Sequence, residues 1–164
     1  MKKLFLMAAL LCLTMNIHAQ DVFNELLNSS LKVAEDTSKG IEARKIATFK
    51  YDELCYMKQK LLPEVLKDTI NLVVFNKVID LLNQQSYAMY KFVNLFVEKL
   101  ASGKKKQQEV VMAVFKAASI NNPLFNDEDT SLVHAYYNNE NYVTQFSLDT
   151  DWVKALEEVQ KREW

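Results

Sequence analysis

The sequence predicts an all-α protein, and three observations favour this fold class. The 164 residues include only two glycines and two prolines, too few turn residues for a many-stranded sheet. Apolar residues recur at steps of three and four in several segments, as they do along one face of a helix. One segment, 69–102, is apolar over more than half of its helical circumference, which is typical of a helix buried on several sides. We therefore expect a single-domain helical bundle of four main helices around a long central helix, with a short C-terminal helical extension.

The N-terminal residues have the pattern of a bacterial secretory signal peptide. Two lysines follow the first residue, an unbroken apolar run covers 4–13, and Ala19 supplies a small residue at the expected cleavage site. This run is too short to span a membrane, which needs about 20 residues. The sequence thus predicts that 1–19 are removed and that 20–164 is exported to the periplasm or the extracellular space, with no transmembrane segment.

Two amphipathic helices are predicted at the start of the mature chain, over 22–36 and about 41–62. Gly40 separates them, and Pro63 ends the second. Apolar residues at helical spacing predict the buried face of the first helix: Phe23, Leu26, Leu27, Leu31 and Ala34. The same pattern predicts the buried face of the second: Ala43, Ile46, Ala47, Leu54, Met57 and Leu61.

The central helix is predicted over 69–102, and its polar side chains form one narrow row. Gln85 is the exception, because it falls in the middle of the apolar face, where an unpaired amide would cost about 1–3 kcal/mol. We expect Gln85 to bond a neighbouring helix or to line a small polar cavity. The predicted solvent-facing row is Asn76, Asp80, Asn83, Tyr87, Lys91, Asn94 and Glu98.

A fourth helix is predicted to begin at 104–106 and to end before Pro123. Gly103 is predicted to end the central helix in the left-handed conformation. The three lysines at 104–106 are interpreted as solvated surface, with a phosphate-binding or membrane-binding patch as the alternative. The predicted buried face of this helix is Val110, Val111, Val114, Phe115 and Ala118.

Residues 128–164 are predicted to form an aromatic-rich extension that packs on the bundle. It contains two short helices near 131–138 and 151–162, and an extended or irregular segment at 141–148. The candidate N-caps are Asp129 or Thr130 for the first helix and Asp149 or Thr150 for the second.

Aromatic side chains of this extension alternate with amides, a combination that suits sugar, peptide or protein ligands. Tyr and Trp are common anchors of interfaces. The alternative is that they cover the open end of the bundle, since aromatic rings dominate cores as well. The candidate residues for ligand or partner binding are Gln85, Tyr136, Tyr137, Tyr142 and Trp152.

The mature sequence contains no recognisable catalytic, metal-binding or cofactor-binding set of residues. Cys55 is its one cysteine and His134 its one histidine. A thiol nucleophile needs a base and an orienting group, and one cysteine with one histidine does not make a typical zinc site. Cys55 is interpreted as a helix side chain outside the main apolar stripe. The alternatives are an intermolecular disulfide and a nucleophile.

Two groups of carboxylates lie in the C-terminal third, at 127–129 and at Asp149 with Asp151. Neither matches the pattern of a calcium loop, and neither has its central glycine. Capping of helix N-termini is therefore the interpretation, because carboxylates there satisfy free amides. A carboxylate-dependent hydrolase is the alternative.

The slightly acidic charge of the mature chain argues against a nucleic-acid partner. Without a catalytic set, the sequence favours a non-catalytic binding or protein-interaction module of the cell envelope or periplasm over an enzyme. The alternatives are a carrier of a small apolar ligand inside the bundle and the hydrolase named above. The expected partner is a protein or a small apolar ligand, and no cofactor is expected.

Overall fold

The structure, a computed structural model, describes residues 22–62 and 72–164. Within these ranges the chain forms helices and no β-strand, which confirms the predicted all-α class. The predicted signal peptide, Pro63 and residues 69–71 of the predicted central helix lie outside the described residues. In chain order the helices are α1 (22–35), α2 (Ile41–Leu61), α3 (Leu72–Ser102), α4 (Lys105–Asn121), α5 (Thr130–Val133) and α6 (Trp152–Gln160).

The long helix α3 packs against α2, α4 and α6. It also contacts α1, where the Tyr90 hydroxyl donates to the Leu26 carbonyl over 3.0 Å. Within the described ranges, no helix has the length and apolarity needed to cross a membrane. The polar row of α3 faces outward, as predicted. Asn76 and Asn83 are half-buried, and the other five residues are exposed: Asp80, Tyr87, Lys91, Asn94 and Glu98.

Helix α2 has nearly the predicted extent, and three of the six residues predicted on its apolar face are buried, but its buried face extends beyond them. Ala43 is exposed, whereas Lys50 and Glu53, which are not part of the predicted apolar face, are buried. Phe49 and Tyr56 are buried beside them. The prediction missed Lys50 and Glu53 because it counted apolar residues alone, and it missed Phe49 and Tyr56 because it followed a single apolar stripe.

The turn between α3 and α4 differs from its prediction in two ways. Gly103 does not have a positive φ, so it is not a left-handed stop. A Cβ at this position would lie 3.3 Å from both the Gln107 Cβ and the Lys99 carbonyl, so Gly103 allows the two helix ends to approach closely. Val110 is exposed rather than buried, while Val111, at the next position of α4, is buried as predicted.

The C-terminal third contributes to the centre of the core and is not only a cover on the bundle. Trp152 and Phe146 are fully buried, and both rings make edge contacts with Phe49 of α2 and Phe92 of α3. The segment that precedes α6 is irregular, as predicted for 141–148, yet most of 144–151 is buried. Helix α5 covers four residues, shorter than the predicted helix, and α6 packs on both α3 and α4.

Candidate functional site

Gln85, the amide predicted on the apolar face of α3, is paired with the N-terminus of α6. Its side chain is 2% exposed. The amide nitrogen donates to the Asp151 carboxylate over 3.0 Å, and the amide oxygen accepts the Trp152 backbone N–H over 2.7 Å. Both polar ends of Gln85 are therefore used within the fold, and the first of the two predicted roles, a bond to a neighbouring element, is the one that the structure contains.

Trp152 is likewise a core residue, and its indole is bound by a carboxyl that the sequence did not single out. The indole N–H donates to Glu53 over 2.8 Å. Glu53 is 0% exposed, and its second oxygen has no hydrogen-bond partner among the described residues. Burial raises the pKa of Glu53 well above its usual range; the nearby Asp149 adds to the rise, and the Trp152 hydrogen bond opposes it. Burial thus favours the neutral acid.

The carboxylates at 149 and 151 bind backbone amides. Asp149 accepts the backbone N–H groups of Leu124, Phe125 and Asp127 at 2.7–2.9 Å, so it orders the turn after α4. Asp151, and not Asp149 or Thr150, is the N-cap of α6, and it accepts the Lys154 backbone N–H. Burial opposes the ionisation of Asp151, but hydrogen bonds from Gln85 and Lys154 lower its pKa.

Asp127 and Asp129, in the other group of carboxylates, also have structural partners. Asp129 caps α5 as predicted, because its side chain accepts the Leu132 backbone N–H. Asp127 accepts the Tyr56 hydroxyl over 2.9 Å and forms an ion pair with Lys60 at 2.6 Å. The bond from Lys60 lowers the pKa of Asp127. No group of carboxylates, histidines and cysteines in the described residues is arranged to hold a metal ion.

The three candidate tyrosines lie near one another in sequence, and their rings or hydroxyls have partners. Tyr136 is buried, and its hydroxyl donates to Asp52; burial and this bond raise the pKa of Tyr136. Tyr142 is half-buried and makes an edge contact with the Tyr136 ring at 4.8 Å. Tyr137 is half-buried, with the Lys116 ammonium 4.2 Å from its ring centroid. Gln85 and Trp152 lie deeper, so the five candidates do not line one open cleft.

Cys55 is a free, half-buried thiol on α2. It lines a shallow groove of about 270 Å³ between α2 and the turn at α5. The described residues contain no hydrogen bond between Cys55 and His134, whose ring lies against Tyr137 at 5.5 Å. Among the described residues the thiol is therefore not paired with an imidazole, the base that a cysteine nucleophile usually needs. The groove is lined by Asp52, Cys55, Tyr56, Gln59, Leu132, Ala135, Tyr136 and Leu148.

A larger groove of about 460 Å³ lies where α3 ends, α4 begins and the C-terminal residues pack beside them. We call it the α3–α4 groove. Two apolar side chains on it are open to solvent, Val110 at 54% and Trp164 at 45%. Its lining residues are Lys99, Ser102, Gly103, Lys106, Gln107, Val110, Val111, Glu163 and Trp164.

Trp164 forms one wall of the α3–α4 groove, and its side chain is held in place by contacts with α4 and α6. Its indole N–H donates to the Val159 carbonyl over 3.2 Å, and its ring packs on Phe115 with centroids 5.4 Å apart. The Lys99 ammonium lies 5.9 Å from the Trp164 ring centroid. The sequence pattern missed this groove, because it joins residues more than 50 positions apart; the lysine run at 104–106 was the one local signal near it.

Comparison with protein-family models, with curated proteins and with solved structures found no match to this chain.

Proposed function

We propose that this protein is an exported, non-catalytic binding module that receives its ligand at the surface, in the α3–α4 groove. The observation that carries the proposal is the groove itself. Its volume of about 460 Å³ lies within the range of about 300–1,000 Å³ that is usual for ligand sites. It also leaves a tryptophan and a valine open to solvent, and these supply apolar contact area for a ligand.

The non-catalytic part of the proposal is supported by how the candidate catalytic groups are used. The carboxylates at 127, 129, 149 and 151 accept backbone amides or pair with Lys60 and Lys154. Cys55 has no bonded imidazole beside it in the described ranges. A carboxylate-dependent hydrolase would need a pair of acidic groups open to a substrate, and these groups bind the fold instead.

A ligand at the surface is better supported than one carried inside the bundle. The interior carrier hypothesis uses Gln85 as its polar anchor, and both polar atoms of that amide are bound to α6. The rings around it, including Phe92 and Trp152, pack edge to face with centroids 5.2 Å apart. We further infer that α1–α4 act as the bundle scaffold, with α3 at its centre, and that the C-terminal third completes it.

A fragment screen followed by ¹H–¹⁵N NMR tests where ligands bind. We expect fragments from a set of neutral, anionic and cationic compounds to shift the amide signals of Gly103, Gln107 and Val111. Val110→Trp should fill the groove and abolish these shifts, whereas Val97→Trp, at an exposed valine of α3 outside the groove, should preserve them. Shifts confined to Gln85, or to Tyr137 and Tyr142, would contradict the proposed site.

Export is tested separately by mass spectrometry of fractionated bacterial cells that express the full chain. We expect a product that begins at Gln20 in the periplasm or the medium. A variant with Leu6→Lys and Leu10→Lys, which interrupts the apolar run, should stay in the cytoplasm uncleaved. An uncleaved, cytoplasmic wild-type chain would contradict export and would leave the binding result unaffected.

A further inference from the structure

We propose that the α3–α4 groove binds a small anionic amphiphile, meaning a carboxylate joined to an alkyl or aromatic group. The inference rests on the proposed function, because it names the ligand class of the same groove. Charge, apolar surface and size each contribute to the argument.

The side chains that line the groove, two lysines and one glutamate among its charged residues, carry a net positive charge. Lys99 and Lys106 line it, and in the part of the chain that the structure describes neither forms an ion pair. Glu163 also lines the groove, but no salt bridge joins it to either lysine among these residues. Two more lysines, Lys104 and Lys105, precede Lys106 at the start of α4, whose first turn has no acidic residue. A ligand with a negative charge would therefore gain Coulombic energy here.

The apolar part of the groove distinguishes an amphiphile from a simple inorganic anion. Val110 and the Trp164 ring are exposed, and Val111 is buried beneath them. Covering such apolar surface is favourable, because it removes that surface from water. Because Phe115 and the Val159 carbonyl hold the Trp164 ring, this wall exists before the ligand arrives. A bare phosphate or sulfate would leave that surface uncovered.

The size of the groove favours a small molecule over a macromolecule. Its volume of about 460 Å³ suits a ligand with a short chain or one or two rings. A stable protein interface would need about 800 Å² and 20–30 residues on each side. The groove offers nine lining residues, so we commit to a small-molecule occupant.

The test compares three probes that share one tail and differ in the head group: octanoate, octanol and octylamine. Trp164 is the exposed tryptophan and Trp152 is fully buried, so fluorescence changes report on the groove. NMR shifts at Gly103 and Gln107 give a second readout that does not depend on tryptophan. We expect octanoate to bind at least about tenfold more tightly than octanol, and octylamine not to bind measurably.

Charge variants give expected changes in opposite directions. Lys99→Gln with Lys106→Gln should weaken octanoate binding about tenfold or more. Glu163→Gln should strengthen it, because that change removes a negative charge from the lining. The matched control, Lys32→Gln with Lys39→Gln, removes the same charge from exposed positions on α1 and its following turn and should leave binding unchanged. Circular dichroism melts verify that each variant is folded.

The outcomes separate this inference from the proposed function. Equal binding of octanol and octanoate, with shifts at the groove, would overturn the anionic ligand and leave the groove as a binding site. Octanoate binding that the control pair weakens as much as the groove pair would also overturn the inference. If none of the three probes and no screened fragment shifts the groove amides, both the inference and the proposed function are wrong.

Discussion

Two ionisable side chains on the buried face of α2 lie inside the fold without an ion-pair partner among the described residues. Glu53 accepts the Trp152 indole, and Lys50, 9% exposed, donates to the Asn94 side chain over 2.6 Å. The Lys50 ammonium also lies 4.2 Å from the Tyr90 ring centroid. Burial shifts the pKa of each residue toward its neutral form: upward for Glu53, and down to about 8 for Lys50. Both should make stability depend on pH.

The first prediction at the residue scale concerns Glu53→Gln. The folded pKa of Glu53 lies above its unfolded value, so the folded state holds a proton that the unfolded chain releases above about pH 4.5. The contribution of Glu53 to stability is therefore complete below that pH and is lost as pH rises toward the folded pKa. The variant cannot ionise at this position. We therefore expect its free energy of unfolding, relative to that of the wild type, to increase by up to about 1.4 kcal/mol per pH unit in this window.

Urea unfolding between pH 4 and 8 measures that difference. Glu42→Gln, at an exposed glutamate in the first turn of the same helix, is the control and should follow the wild type in parallel. A constant offset between Glu53→Gln and wild type across the range would contradict a buried, neutral acid.

The second prediction concerns Lys50→Met, and its pH dependence has the opposite sign. The folded state loses the Lys50 proton near pH 8, whereas the unfolded chain keeps it until near 10.5, so wild-type stability should rise across this range. We expect Lys50→Met to be more stable than wild type at pH 7, by about 1–3 kcal/mol, with the gap closing toward pH 10. Guanidinium unfolding at pH 7, 8.5 and 10 checks this, with Lys32→Met on the exposed face of α1 as the control. A gap that does not narrow with pH would show that desolvation of the ammonium is not the cause.

Helix α6 depends on contacts outside itself. It has nine residues, and isolated helices of this length are unstable in water. Its N-terminus is fixed by the Asp151 cap, by Gln85 of α3 and by the Asn122 carbonyl, which accepts the Asp151 backbone N–H. The Thr150 hydroxyl adds a bond to the Ser119 carbonyl over 3.0 Å. The orientation of α6 is thus determined by polar contacts with α3 and α4 as well as by its buried apolar face.

The prediction at the element scale compares two neighbouring glutamines of α3. Gln85→Leu should destabilise the fold by about 1–3 kcal/mol, because it leaves the buried Trp152 backbone N–H without an acceptor. Gln84→Leu, at an exposed position, should change the free energy of unfolding by less than about 0.5 kcal/mol. Urea titrations of the two variants measure both values. If Gln85→Leu were neutral or stabilising, the amide would not be holding α6.

For the whole molecule, the decisive feature is that the last 24 residues share one core with the helices before them. The fully buried side chains of this segment include Phe146 and Trp152, whose rings contact α2 and α3. Helix α6 of the same segment also packs on α4. Each large buried apolar side chain contributes about 1.5–3 kcal/mol, and total stabilities are about 5–15 kcal/mol. The chain up to residue 140 should therefore not hold its fold alone.

The prediction at this scale follows from removing residues 141–164. We expect the shortened chain to lose its cooperative thermal transition and its near-ultraviolet circular dichroism. Removal of 162–164 alone, which are exposed, should preserve the cooperative transition. A cooperative transition in the chain that ends at 140 would mean that the earlier helices form a core of their own. The C-terminal segment would then be an extension that packs on this core, as the sequence analysis predicted.

By itself, the sequence determined the helical class, most helix ranges and the exposed row of α3, and it narrowed the N-cap of α5 to Asp129 or Thr130. These are local properties, set by spacings of three and four residues and by side chains next to the amides that they cap. Only the tertiary structure decided that Glu53 and Lys50 are buried, that Asp149 orders a turn and that Val110 is exposed beside Trp164. Each of these depends on a partner far along the chain, as Glu53 and Trp152 show at a separation of 99 positions. Periodicity carries no information about such partners, because burial of a polar group is decided by what packs against it.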